Sequence, residues 1–112
     1  STPLYSSAAS DVYKRQGSDI IIGDDVAIAM GVTLTTHTHQ ISSGKRRAER
    51  KTVFRPIVIG DGCWIGANVT ILPGVTIGRG TVVGAGSVVV KGLDANSVYV
   101  GNPARKIRQL EG

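Results

Sequence analysis

Ile59, Ile65, Ile71, Ile77, Val83 and Val89 stand six residues apart, and Ile22, Ile28 and Leu34 keep the same step upstream. Gly60, Gly66, Gly78 and Gly84 directly follow four of the later anchors, and Cys63, Val69, Val75, Thr81 and Ser87 sit four places after an anchor. A strand repeats every two residues and a helix every 3.6, so a period of six fits neither alone. It fits a solenoid in which short strands and tight turns alternate, with three hexads to a triangular coil. The anchors are then expected to point inward and to bury a core by stacking coil on coil. Glycine supplies turns that need positive φ or close backbone approach.

The remaining bounds are consistent with this. A chain of 112 residues makes one domain, and a single Phe and a single Trp leave an aliphatic core. One cysteine, Cys63, excludes an intrachain disulfide and fits a reducing compartment, so a cytoplasmic protein is expected. No apolar run has the length of a membrane span. The net charge of +5 is concentrated: Lys45, Arg46, Arg47, Arg50, Lys51 and Arg55 stand against Glu49 alone between residues 40 and 56. Nucleic-acid binding is not expected, because only Phe54 is interleaved with these charges. A solvated loop or a site for an anionic ligand fits them better.

Along the chain, residues 1–17 do not join the repeat and read as a tail, either disordered or artefactual, or else an irregular cap. Residues 18–110 form the repeat domain, which reads as truncated at its N-terminal end. About one coil runs to residue 38. Residues 40–56 break the register as a basic loop projecting from a corner. The repeat resumes at Ile57 for about two further coils, with Pro73 and Gly74 marking a turn. Residues 93–102 read as extended chain, with Val98 and Val100 on one face. Residues 104–110 read as a short terminal helix, with Asn102 as N-cap, Pro103 at the first helical position, and Ile107 and Leu110 closing the last coil.

Three motifs sharpen the reading: Thr35-Thr36-His37-Thr38-His39 before the loop, the run from Pro56 through Gly60-Asp61-Gly62-Cys63-Trp64-Ile65-Gly66-Ala67 after it, and Gly84-Ala85-Gly86-Ser87 leading to Lys91, then Gly101-Asn102-Pro103-Ala104-Arg105. In combination they resemble the hexapeptide-repeat acyltransferases, in the maltose and galactoside O-acetyltransferase branch. The resemblance implies a left-handed parallel β-helix, homotrimers, and acetyl-CoA bound between neighbouring subunits. It puts the catalytic histidine at His39, the family's tryptophan close to the site, on the substrate side, at Trp64, and contacts to the CoA arm at Ala67 and Ala85. His37, two residues from His39 and on the same side of an extended segment, is read from its position as a substrate-side or supporting residue, with the role of base as its alternative. Lys91 and Arg105 match CoA-binding positions, Arg105 near the nucleotide end. Gln40 stands where relatives often carry Pro, and Val90 where they often carry Thr. Relatives also carry earlier coils that contribute acceptor-binding residues.

The activity so implied is transfer of an acetyl group from acetyl-CoA to a hydroxyl of a sugar or glycan. Such a reaction needs a base for the hydroxyl proton, a donor for the developing oxyanion, and a groove that holds both substrates. Imidazole at neutral pH is mostly free base and suits the first task. The bland readings are a corner residue for His39, a structural role for His37, packing for Trp64, and solvated charges for Lys91 and Arg105. Cys63 falls at an inward position and reads as core rather than nucleophile. A metal enzyme on the same scaffold, of the γ-carbonic-anhydrase kind, would want three protein ligands, and two histidines and Cys63 lack the spacing. A non-catalytic or inactive β-helix scaffold is the remaining alternative.

Overall fold

The computed structural model describes residues 20–112, so the expected N-terminal tail lies outside the described residues. The described chain is all strand and turn. Its strands are β1 (Ile20–Ile22), β2 (Ala27–Ile28), β3 (Thr33–Leu34), β4 (His37–Ile41), β5 (Ala48–Phe54), β6 (Ile57–Ile59), β7 (Trp64–Ile65), β8 (Thr70–Ile71), β9 (Thr76–Ile77), β10 (Val82–Val83), β11 (Val88–Val89), β12 (Ser97–Gly101) and β13 (Ala104–Gln109).

Successive strands visit three sheets in turn: β1-β6-β9, then β2-β7-β10-β12-β13, then β3-β8-β11. Each coil therefore traces three faces of a prism, and the coils stack in parallel register. Ile59 pairs with Ile77, Ile65 with Val83, and Ile71 with Val89, a step of eighteen residues or three hexads. Between the first two coils the step is thirty-seven, from Ile22 to Ile59 and from Ile28 to Ile65. The surplus is an inserted segment that leaves the prism at one corner and returns to it.

Two positions of each hexad face inward. The anchors Ile59, Ile65, Ile71, Ile77, Val83 and Val89 are buried, and so are Cys63, Val69, Val75, Thr81 and Ser87 between them. The polar members of the second set are satisfied by the corners. The Thr81 hydroxyl donates to the Asp94 carbonyl at 2.6 Å, and the Ser87 hydroxyl donates to the Gly84 carbonyl at 2.7 Å. A buried hydroxyl thus keeps its hydrogen bond and costs little. Ile22, Ile28 and Leu34 are only half-buried, because they form the outermost of the described layers.

Glycine acts in two distinct ways at the corners. At most corners the third residue after an anchor takes the left-handed conformation, as at Gly80 with φ 66°, where only glycine and a few polar residues are comfortable. Glycine directly after an anchor serves close approach instead: a Cβ on Gly66 would lie 2.7 Å from the Ala85 backbone nitrogen.

Two expectations are corrected. Residues 104–110 are not a helix: β13 pairs antiparallel with β12, from Gly101 opposite Ala104 to Ser97 opposite Gln109. The Asn102–Pro103 peptide, cis in this structure, lies in the turn between them, so neither residue caps a helix. So short a helix would be marginal by itself, whereas pairing to β12 satisfies the backbone of the last strand in its sheet. Ala104 is buried there, but Ile107 is 60% exposed and does not close the coil. Val98 and Val100 do share a face, and it is the outer one; Ser97 and Tyr99 point inward. Second, residues 40–56, expected as a basic loop projecting from a corner, are not loop throughout. Most of them belong to a two-stranded antiparallel ribbon of β4 and β5.

Candidate active site

The ribbon carries both histidines. In an antiparallel pair, directly opposed residues share a face. His37 opposes Phe54 and His39 opposes Thr52, so the two histidines lie on one side of the ribbon. His37 packs edge-on against Phe54, with ring centroids 4.5 Å apart and planes at 84°. His39 is held differently. Its Nδ1 lies 3.2 Å from the Lys51 carbonyl oxygen. A carbonyl only accepts, so this contact selects the tautomer with hydrogen on Nδ1 and leaves the Nε2 lone pair free. The register shifts between His39 and Ile41, and such irregularities re-aim side chains at the rims of sheets.

Where the ribbon leaves the prism it walls an open cleft of about 460 Å³. Thr38, His39, Gln40 and Ile41 form one side, Leu72, Pro73 and Val90 the corner of the coils below, and Arg55 the base of the ribbon. Val90 is 47% exposed and gives the cleft an apolar patch.

Lys91, next in the chain to Val90, lines a second cleft of about 260 Å³. There it meets Arg105, the other basic residue singled out in the sequence, and also Lys106, which the sequence reading passed over. Lys106 Nζ bonds Asp94 Oδ2 at 2.8 Å, and the Asp94 N–H donates to the Tyr99 hydroxyl at 3.1 Å. The hydrogen bond with Lys106 holds the Asp94 carboxyl below its ordinary pKa, and Asp94 raises that of Lys106 in return. Three cations against one carboxylate leave this cleft positive. Lys106 was hidden by the helical reading of its segment. The signal that could have found it is the turn at Gly101-Asn102-Pro103, flanked by two extended runs. Arg55 was also missed as a wall of the His39 cleft.

Trp64, Ala67 and Ala85 lie elsewhere. Trp64 sits in the second sheet between Ala27 and Val82, faces outward and is 59% exposed. Ala67 and Ala85 stack at the next corner, where the Gly86 N–H donates to the Ala67 carbonyl at 2.8 Å. With Gly66 and Gly84 they make a strip of small residues along the prism. The chain thus places His39 in one cleft and Lys91 with Arg105 in a second, while Trp64, Ala67 and Ala85 line neither. Cys63 is buried with Sγ 3.1 Å from the Gly78 carbonyl, and burial pushes its thiol pKa up, which suits a core residue rather than a nucleophile. Among the described residues, no three His, Cys, Asp or Glu side chains come together as metal ligands.

The sequence pattern of the family described as "Bacterial transferase hexapeptide (six repeats)" matches residues 56–91, and that of the "Hexapeptide repeat of succinyl-transferase" matches residues 20–36. The galactoside O-acetyltransferase of Escherichia coli K12 is 45% identical over 91 residues, which are 81% of this chain and 44% of that protein. The crystal structure of a galactoside acetyltransferase in complex with coenzyme A superposes with a TM-score of 0.76 at 43% identity, over 83% of this chain and 46% of that one. A hexapeptide-repeat-containing acetyltransferase of Vibrio cholerae, complexed with acetyl coenzyme A, gives 0.78 at 42% identity, over 86% and 52%. The chain spans about half the length of the curated relatives it matches. By its repeat, its prism of three sheets and these likenesses, the chain belongs to the hexapeptide-repeat acyltransferases and folds as a left-handed parallel β-helix.

Proposed function

We propose that this protein transfers an acetyl group from acetyl-CoA to a hydroxyl of a sugar or glycan, with His39 as general base. The observation that carries the reading is the His39 contact: Nδ1 donates to the Lys51 carbonyl, and the free Nε2 belongs to a side chain at the wall of an open cleft. In this scheme His39 Nε2 takes the acceptor's hydroxyl proton as the oxygen attacks the thioester carbon. It returns the proton to the sulfur as the carbon–sulfur bond breaks, so products are an ester and the free thiol. General base catalysis of this kind contributes about 10²–10⁴-fold. Backbone N–H groups of a rigid corner are suited to hold the oxyanion.

The donor fits the second cleft. Lys91, Arg105 and Lys106 offer cations to its phosphates, and the strip at Ala67 and Ala85 offers a smooth, narrow path for its arm. Within one chain the strip abuts the hairpin that carries Arg105, but neither it nor Trp64 lines the His39 cleft. A homotrimer, in which the strip and Trp64 of one copy face the His39 cleft of the next, brings them together. Trp64 and Met30, 59% and 83% exposed in the single chain, are then covered. A CoA-dependent enzyme with a single buried free thiol also suits a cytoplasmic location.

The test is thiol release from acetyl-CoA with a panel of sugars. Acetyl transfer to at least one sugar is expected, and a protein that neither binds acetyl-CoA nor transfers from it is a scaffold. Lys91→Ala and Arg105→Ala should each raise KM for acetyl-CoA by about tenfold with kcat little changed, the pattern of lost uniform binding. Unchanged KM in both variants moves the donor out of the second cleft.

A further inference from the structure

The excess charge of the chain lies on the ribbon that bears His39. Six cations against Glu49 match the whole net charge of +5, and all six are exposed. Among the described residues the salt bridge is that of Lys106 with Asp94, on another part of the molecule. The ribbon's charges are therefore not balanced within the described chain, and a group of like charges on a projecting element makes a positive field over the space beside it.

Arg55 is the cation built into the cleft itself. Its N–H donates to the Thr36 carbonyl at 2.9 Å, which fixes the backbone. Its aliphatic stem passes over Gly74, where a Cβ would lie 3.4 Å from the Arg55 Cβ. The stem is thus seated on the coil below, and the residue lines the same cleft as His39. The donor's phosphates already have three cations in the second cleft. Nucleic acid is disfavoured because the ribbon's aromatic, Phe54, is engaged edge-on by His37 rather than presented for stacking.

We propose that the acceptor is an anionic saccharide, bearing a carboxylate or a phosphate that Arg55 holds in the His39 cleft while the ribbon's cations draw it in. This rests on the reading of that cleft as the acceptor site of an acyltransferase. Guanidinium pairs with either anion in a two-pronged geometry, so the two sources share one chemistry and are separated by the choice of probe.

The experiment is calorimetric titration of the full chain, saturated with CoA, with methyl β-glucoside, methyl β-glucuronide and glucose 1-phosphate. At least one charged sugar should bind about tenfold or more tighter than the neutral one at low salt, and the margin should shrink as salt is raised. Whichever of glucuronide and phosphate carries the margin identifies the anion. Arg55→Gln should abolish most of the margin, and Lys45→Gln with Arg46→Gln should reduce it mainly at low salt. Equal affinities for charged and neutral sugars, no binding of any of the three, or an intact margin in Arg55→Gln overturns the proposal. So does a loss of CoA affinity in Arg55→Gln in place of sugar affinity, which gives the cation to the donor. The readout is binding, so an intact anion preference without acetyl transfer counts against the catalytic scheme and not against this assignment.

Discussion

The stacked coils and the inserted ribbon are both made of β-strands, but they are held by different things. In the coils from Ile57 to Lys91, every second or fourth residue is sealed inside a prism, and each coil's backbone bonds to the next. The ribbon has two strands, buries little, and exposes nearly every side chain from His39 to Lys51. A two-stranded ribbon is marginal by itself, so this one depends on its anchorage: Arg55 N–H to Thr36, and His37 against Phe54. The coils can spare few side chains for chemistry, because their inward positions are committed to packing. The ribbon is free to carry polar groups and sets them over the corner of the coils. Order comes from one region and the candidate chemistry from the other.

Replacing a residue of the stack with a charge is the severest way to break this division. Ile71 is fully buried and lies between Leu34 and Val89 in its sheet. Ile71→Asp leaves a carboxylate with no partner in an aliphatic stack and should abolish folding. A soluble Ile71→Asp protein with wild-type β circular dichroism and melting would refute the inward assignment.

A milder contrast uses glycine in both regions. A Cβ on Gly66 would meet backbone of the next coil, while a Cβ on Gly44 in the ribbon turn would meet the flexible end of Arg47 at 3.4 Å. Gly66→Ala should cost about 1–3 kcal/mol, as overpacking does, and Gly44→Ala should stay within about 0.5 kcal/mol of wild type. Equal effects in denaturant melts would erase the distinction between stack and ribbon.

The smallest effect belongs to the terminal hairpin. The Asp94–Lys106 pair joins β13 to the last corner with both side chains partly open to solvent. The Asp94 pKa is lowered on folding, so its contribution is present above the unfolded-state value and is lost as pH falls through the folded one. The Lys106 pKa is raised, so its contribution is full below the ordinary lysine value and fades as pH rises through the folded one. Asp94→Asn should lower the melting temperature only slightly near neutral pH, as expected of a surface pair. The difference should vanish in strong acid and in strong alkali. A difference that persists in acid would assign it to something other than the ion pair.

The coils were legible because their inward residues must be apolar or small at every turn of the prism, and stacking repeats that demand each sixth position. The ribbon was not, because neither of its faces is buried. His-Thr-His-Gln-Ile and Ala-Glu-Arg-Lys-Thr-Val-Phe carry no sustained alternation of apolar and polar residues to reveal strands. The hairpin of β12 and β13 was misread because Asn-Pro followed by Ala-Arg-Lys suits the start of a helix locally, and the pairing that overrides it is tertiary. Lys91 and Arg105, singled out in the sequence one by one, line one cleft. Lys106 and Arg55 escaped because their places depend on that hairpin and on the return of the ribbon. Trp64, Ala67 and Ala85 do not line the His39 cleft within one chain, and the proposed trimer, which would bring them to it, is a relation between copies that no spacing within one copy encodes.

The most direct test of a ribbon that carries the chemistry over a stack that carries the fold is steady-state kinetics of His39→Ala beside His37→Ala. His39→Ala should lose about 10²–10⁴-fold in kcat with KM for acetyl-CoA and melting temperature near wild type, since the proton moves only in the transition state. His37→Ala, which removes the packing on Phe54, should lose about tenfold or less. A near-normal kcat in His39→Ala beside an inactive His37→Ala would transfer the base to His37, and normal rates in both would remove histidine, and with it the ribbon, from the chemistry.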